Sequence, residues 1–408
     1  MHHFINGGVC AAEGFCAAGI HAGVKSHNLN KKDVALIVSQ CPCSCAAVYT
    51  RNAVKAAHIL LDIEHLRDGR ARAAVVNSGN ANACAPNGEA HAREICAAVA
   101  ASVGCAPEEV VIASTGVIGQ ELNARAIIDH IPALYRHCTA DEAGSDGAAQ
   151  AIMTTDTVKK ELALETAIGG KTVRIGGIAK GSGMIHPNMG TMLCFLTTDC
   201  AISPEMIREA LHETVAVSFN RISVDGDTST NDTCCVMANG LAGNEMISEK
   251  NDGYRDFVSA LQTLCVKLAI AMAADGEGAR HLITCTLEGA RDDAAAEAIA
   301  KAVISSTLTK AAIFGTDANW GRVLCAMGYS GIPFNPDGVD IAFASAAGRI
   351  AVCQKGRGLL FDEELAKRIL TEHDIVIDIG MGEGSGKCTC WGCDITYDYI
   401  KINGDYRT

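Results

Sequence analysis

The chain reads as a layered α/β protein. Short apolar runs with strand character are interleaved with longer stretches of helical periodicity, and such mixed runs argue for α/β layers over a bundle or a barrel. Hydrophobic residues make up 49% of the 408 residues and aromatic ones only 4%, so the core must be built from Ala, Val, Ile and Leu. The 41 glycines imply many tight turns and close backbone approaches. A chain of this length holds ample core for two domains or one large body.

The elements follow in order. Residues 87–104 read as a helix, with Asn87 near its N-cap and Gly104 beyond its end. Residues 108–113 read as a short buried strand running into a turn at Thr115-Gly116. Residues 162–168 and 172–178 form two strand-like runs joined at Gly169-Gly170, a hairpin signal. A buried strand is expected at 191–198. Ser203-Pro204-Glu205 opens a helix with a cap, a proline at the first position and an early acid. Residues 254–274 form a long apolar-striped helix that delivers Asp275-Gly-Glu-Gly. Helices are expected at 292–305 and 362–372, and strands at 375–379 and 394–402.

Charge and composition exclude several classes. The net charge of −13 argues against nucleic acid or an anionic membrane as the main partner, while leaving room for a local basic pocket. The start, Met1-His-His-Phe-Ile-Asn-Gly-Gly8, lacks the basic region and apolar core of a signal peptide. No uninterrupted apolar run approaches the ~20 residues that span a bilayer, so a soluble cytoplasmic protein is expected. Twenty cysteines include two clusters, Cys41-Pro-Cys-Ser-Cys45 and Cys388-Thr-Cys-Trp-Gly-Cys393. Two thiolates two residues apart on a strand could share a metal, but neither cluster has the paired CxxC spacing of a structural zinc site. The favoured reading is that cysteine acts as a small buried hydrophobe, as around Cys96 and Cys265, with no metal bound.

The segment richest in chemistry is Lys180-Gly-Ser-Gly-Met-Ile-His-Pro-Asn-Met-Gly190-Thr191. A glycine-punctuated loop runs directly into an apolar run, with a threonine at the junction. The carbonyl of Gly190 can be approached closely because the residue has no Cβ. The Thr191 hydroxyl could attack that carbonyl, shift the acyl group from N to O, and emerge after hydrolysis as a new N-terminus. Its α-amine, titrating near ~8, would then serve as the base for its own hydroxyl. The same sequence also suits an ordinary loop-to-strand junction.

This segment resembles the self-processing loop of the ornithine acetyltransferase family, also called the glutamate N-acetyltransferase or arginine-biosynthesis bifunctional family. Asn77-Ser-Gly-Asn-Ala-Asn-Ala83, Ser114-Thr-Gly-Val-Ile-Gly119, Met153-Thr-Thr-Asp-Thr157, Ser218-Phe-Asn-Arg-Ile-Ser-Val-Asp-Gly-Asp227, Asp275-Gly-Glu-Gly-Ala-Arg280, Gly315-Thr-Asp-Ala-Asn-Trp-Gly-Arg322 and Asp398-Tyr-Ile-Lys-Ile-Asn403 resemble further family blocks, in family order across the chain. The resemblance implies an α/β sandwich with helices covering paired sheets. It implies an α chain of 1–190 and a β chain of 191–408 that stay associated, as two α and two β chains or more.

It also implies acetyl transfer from N-acetylornithine to glutamate through an acetyl-Thr191 intermediate, with ping-pong kinetics. No cofactor is implied, and whether acetyl-CoA serves as a second donor stays open. Thr115 and Gly116 match the family's oxyanion hole; fixed donors there contribute roughly 3–4 kcal/mol each. On the residues alone they serve equally as a turn capping a strand. Lys180 fits a cation near the reacting group that could bind a substrate carboxylate or lower the pKa of the Thr191 amine; taken alone it reads as a solvated loop lysine. Thr154 matches a substrate-binding threonine, with Thr155 as an immediate competitor. Glu277 would grip the substrate ammonium. Asn403 and Thr408 would bring the C-terminal tail to the substrate's amino-acid end.

Gly190 stands where alanine is more usual. His186 stands where small or neutral residues are more familiar, and either change bears on the rate of maturation. Two other functions compete: a self-processed aminopeptidase or amidase with water as acceptor, and a cysteine-rich metal-buffering protein.

Overall fold

The computed structural model describes residues 2–24, 30–186 and 192–404. Among these, nine strands form one sheet and seven form another. The path of the first runs His3–Ile5, Lys160–Ile168, Lys171–Lys180, Leu193–Thr198, Thr233–Ala238, Val34–Tyr49, Arg70–Asn77, Val110–Ser114, with Phe15–Ile20 also paired to Val34–Tyr49. The second runs Arg357–Gly358, Gly348–Gln354, Asp340–Ser345, Asp374–Gly380, Leu282–Ala290, Gly386–Cys393, Ile222–Ser223. The layered α/β class is therefore correct.

Local signals account for most element boundaries. The helix Gly88–Val103 ends on Gly104 in a left-handed conformation, as a C-cap glycine does. Gly169 and Gly170 join the antiparallel strands Lys160–Ile168 and Lys171–Lys180. The Ser203 hydroxyl accepts from the Met206 amide at the start of Pro204–Val217. Asn251, Asp292 and Asp362 cap the helices Asp252–Ala274, Asp293–Ser305 and Glu363–Thr371 in the same way.

One element differs. Residues 394–402, expected as a strand, hold the helix Tyr397–Gly404. The Thr396 hydroxyl donates to the Gly278 carbonyl and accepts from the amides of Asp398 and Tyr399. That satisfies first-turn donors and starts a helix, which the alternating apolar pattern conceals.

Helices cover the sheets. Ile95, Val99, Ile127 and Leu134 pack on Leu36, Val75 and Ile112 of the first sheet. A second cluster buries Leu211, Leu261, Leu264 and Leu268 against Leu164, Val173, Ile175 and Leu196, and takes in Trp391 and Cys393 from the second sheet. A third packs Ile299, Val303 and Ile369 on Ile283, Phe343 and Ile377. The helix Asp252–Ala274 is long and apolar enough to cross a membrane by length and composition. Its apolar face is occupied by the core instead: Phe257, Leu261, Leu264, Leu268 and Met272 are fully buried.

The cysteines are free thiols. Cys96 and Cys265 sit on buried helix faces. Cys43 and Cys45 enter the first sheet's core, where Cys45 Sγ lies 3.6 Å from Cys235 Sγ. Cys388 and Cys390 lie in the core of the second sheet.

Candidate active site

The C-terminal end of Val110–Ser114 delivers Thr115 and Gly116. The Thr115 amide donates to Asn77 O at 2.9 Å. Asn77 Nδ2 donates to Ser114 Oγ at 2.7 Å, and Asn77 Oδ1 accepts from the amides of Gly79 and Asn80. The Asn-rich block is thus the scaffold of this turn. Gly116 has φ +133°, and a Cβ there would come within 3.1 Å of the Asn80 amide nitrogen. Glycine is required at this position.

Lys180 ends the strand Lys171–Lys180 and pairs in register with Leu193. Its ammonium donates to Thr115 Oγ1 at 3.2 Å. The Thr115 oxygen is thereby an acceptor, and its single proton is directed elsewhere. Burial lowers the Lys180 pKa, while Asp156, Asp232 and Glu277 pull it back up.

Glu277 follows the helix Asp252–Ala274. Its amide donates to Ser182 O at 3.0 Å, and Oε2 accepts from Asn403 Nδ2 at 2.7 Å. Its carboxylate lies directly over Gly183, where a Cβ would meet Oε2 at 2.2 Å. Thr154 is held by its amide, which donates to Asp156 Oδ2 at 3.1 Å, and by its carbonyl, which accepts from Lys31 Nζ at 2.7 Å.

These residues meet. A recess of about 120 Å³ is lined by Thr115, Gly116, Thr154, Lys180, Glu277 and Asn403, together with Thr155, Met192 and Leu193. The six candidates are spread over nearly 290 positions of sequence, yet share one small polar cavity. Gly190, Thr191 and Thr408 lie outside the described residues. A wider groove of about 680 Å³ beside Phe4 and Lys267 holds none of the candidates. His186 does not line the recess; its Nδ1 lies 3.0 Å from Ser223 Oγ.

Other groups at the recess were not anticipated. Ser229, Thr230, Asn231 and Asp232 form one wall. Asn231 Nδ2 donates to Ser114 O at 2.8 Å and to Ala81 O, tying that wall to the Thr115 turn. Asp232 is buried, and its Oδ2 has no hydrogen-bond partner among the described residues. Burial pushes its carboxyl well above the usual range, against the pull of Lys180 and the Met192 amide. Behind the recess, Lys160 bridges Asp156 at 2.6 Å and Asp275 at 2.5 Å, all three almost fully buried. Asp156 and Asp275 stand inside family-like blocks; Lys160 has no sequence signal at all.

Comparison with known proteins agrees with the motif order. A model of the ArgJ family matches residues 16–408. The arginine biosynthesis bifunctional protein ArgJ of Symbiobacterium thermophilum is 49% identical over 99% of this chain and 100% of its own. That of Bacillus subtilis is 44% identical over 99% and 97%. A solved chain of the Bacillus halodurans protein is 43% identical, covering 52% of this chain and 97% of that one, with a TM-score of 0.49. One of the Mycobacterium tuberculosis ornithine acetyltransferase, complexed with ornithine, is 38% identical over 46% and 99%, with a TM-score of 0.43. By its family model and its near-complete alignment with these relatives, the chain belongs to the ArgJ family.

Proposed function

We propose that the protein is a glutamate N-acetyltransferase of arginine biosynthesis, moving acetyl from N2-acetyl-L-ornithine to L-glutamate. The observation that supports this most directly is the convergence of Thr115, Gly116, Thr154, Lys180, Glu277 and Asn403 on one recess that Met192 and Leu193 also line. The recess therefore adjoins the residues that follow Thr191 in sequence. The names of the ArgJ relatives point the same way.

The chain first cuts itself between Gly190 and Thr191, leaving parts 1–190 and 191–408. The Thr191 hydroxyl then attacks the acetyl carbonyl of N-acetylornithine. Its proton passes through the Thr191 α-amine to the departing ornithine nitrogen as the amide C–N bond breaks. In the second half-reaction the glutamate amine attacks the acetyl ester, the C–O bond breaks, and the proton returns to Thr191. In both steps negative charge collects on the acetyl oxygen. The Thr115 hydroxyl, its oxygen already occupied by Lys180, and the Gly116 amide are the donors for it. Glu277 receives the substrate ammonium, with Asn403 fixing its carboxylate. Thr154, Lys180 and the tail residue Thr408 hold the remaining polar ends.

The reading includes no tightly held cofactor, acetyl-CoA as an alternative co-substrate, a cytoplasmic location, and parts that stay associated as two pairs or more. Denaturing intact mass on wild type and Thr191→Ala tests the nucleophile. The wild type gives two species meeting at Gly190/Thr191, and Thr191→Ala gives one uncleaved, inactive chain. Normal turnover by Thr191→Ala overturns the mechanism. Formation of N-acetylglutamate from N-acetylornithine separates the transferase from an amidase, which would release acetate.

A further inference from the structure

Lys160, Asp156 and Asp275 lie outside the recess and touch none of its open surface, yet their hydrogen bonds reach Thr154 of the recess and the chain neighbours of Lys180 and Glu277. The Lys160 side chain is 1% exposed, that of Asp156 0% and that of Asp275 6%. A buried charge is tolerated only when its hydrogen-bonding capacity is met, and here it is met in full. Lys160 Nζ donates to Asp156 Oδ1, Asp275 Oδ2 and the Val158 carbonyl.

Asp156 holds two further groups. Its Oδ2 accepts from the Thr154 amide at 3.1 Å, and its Oδ1 accepts from the Gly181 amide at 2.8 Å, immediately after Lys180. Burial alone would push the Asp156 carboxyl up, but Lys160, Lys180 and the Gly181 amide together hold it below the usual range. It is therefore an anion beside the recess. Asp275 is wrapped by the turn that precedes Lys160: the Thr157 amide donates to it at 3.1 Å, and so does the Thr157 hydroxyl. The Asp275 carbonyl accepts from Ser182 Oγ at 2.6 Å, and the Ser182 carbonyl accepts from the Glu277 amide.

We propose that Lys160, Asp156 and Asp275 form a buried positioning clip that sets Thr154, Lys180 and Glu277 at their mutual spacing, across the two parts of the processed chain. This rests on the substrate-binding roles given to those three residues. Lys160 and Asp156 belong to residues 1–190, and Asp275 to residues 191–408. The cut between Gly190 and Thr191 leaves this ionic contact as a link between the parts that carry opposite ends of one substrate. A carboxylate-binding lysine and an ammonium-binding glutamate act together only at a fixed separation, and an ångström of drift lowers the efficiency of both.

The test is steady-state kinetics on full-length Lys160→Met and Asp156→Asn with N-acetylornithine and glutamate, alongside intact mass and thermal melting. Lys160→Met removes the central cation at similar length. Asp156→Asn replaces one acceptor oxygen with a donor facing the Thr154 or Gly181 amide. The clip requires that KM for N-acetylornithine rises about tenfold or more in whichever variant folds and processes. A merely structural contact lowers the melting temperature and the active fraction but leaves KM unchanged, and that result overturns the proposal. Asp156→Asn keeps the question answerable if Lys160→Met does not fold. The two readings fail separately: a wild-type protein that makes no N-acetylglutamate defeats the proposed function, whereas an active wild type with variants of unchanged KM defeats the clip alone.

Discussion

Asp156 and Asp232 flank Lys180 and are comparably buried, yet their surroundings drive them in opposite directions. Asp156 meets a lysine and two backbone amides and is held below the usual carboxylate range. Asp232 has an oxygen with no partner among the described residues and is raised well above it. Burial alone does not decide which way an acid's pKa moves here. What decides it is whether the fold supplies enough donors to replace lost water. One acid is held as an anion that organises its neighbours, and the other has its carboxyl pushed towards the protonated form by burial.

The sharpest way to break this contrast is to remove the cation on the satisfied side. Lys160→Met leaves two carboxylates in the interior, so stability falls by about 3–5 kcal/mol, read as a lower urea midpoint or melting temperature. A loss below about 1 kcal/mol would mean that Asp156 and Asp275 are not paired as described.

The comparison extends to a buried base. His58 is fully buried, and desolvation lowers its pKa to about 4, with the Asn231 backbone only partly offsetting this. The unfolded chain takes up a proton near 6.5 and the folded one near 4, so the unfolded state binds more protons between those values. Stability therefore falls as the pH drops from about 6.5 to about 4, by on the order of 3 kcal/mol from this residue. His58→Leu flattens that slope in urea titrations at pH 4.5 and 7. An unchanged slope would place a proton on the buried ring.

A methyl group at Gly183 presses on the carboxylate of Glu277. Gly183→Ala raises KM for N-acetylornithine about tenfold, equivalent to about 1.4 kcal/mol, with processing intact by mass. An unaltered KM would show that Glu277 has room to retreat. The smallest effect is expected at Asp232. An amide mimics a protonated carboxyl, so Asp232→Asn shifts stability at about pH 4 by less than about 1 kcal/mol. The wild-type carboxyl is protonated more readily folded than unfolded, so its contribution declines as pH rises from about 4 towards its folded value. The asparagine variant lacks that decline, and a loss as large as that of Lys160→Met would mean that Asp232 is ionised.

The same contrast marks what was legible in the sequence. Thr115, Gly116, Thr154, Lys180, Glu277 and Asn403 were found because each sits in a short block, and the blocks come in a specific order. The recess then brings them together. Lys160 was invisible because Lys159-Lys160-Glu161 looks like the solvated start of a strand, and burial of one charge among three is a tertiary property. Asp232 was missed for the same reason. Caps and turn glycines located five of the eleven α-helices among the described residues, and the hairpin. The helix Glu142–Ala151 escaped because two internal glycines lower its propensity, which packing against Phe15–Ile20 overrides. The tail failed in the other direction: Tyr397–Gly404 alternates like a strand, but it is a helix whose first turn is capped by Thr396, anchored to Gly278.

The strand Leu193–Thr198 is laddered on both sides, antiparallel to Lys171–Lys180 and parallel to Thr233–Ala238. The proposed cut just before it would place a new terminus beside a strand paired on both edges. The first ladder rung, Lys180 to Leu193, lies two residues from Thr191. Fraying at the new end therefore stops almost at once, and the parts cannot peel apart one hydrogen bond at a time. They separate only when the whole sheet opens. Amide hydrogens of Leu193–Thr198 will accordingly exchange at the rate of global unfolding, before and after the cut alike. As proposed, the maturation is chemically irreversible yet leaves the mechanics of this sheet unchanged.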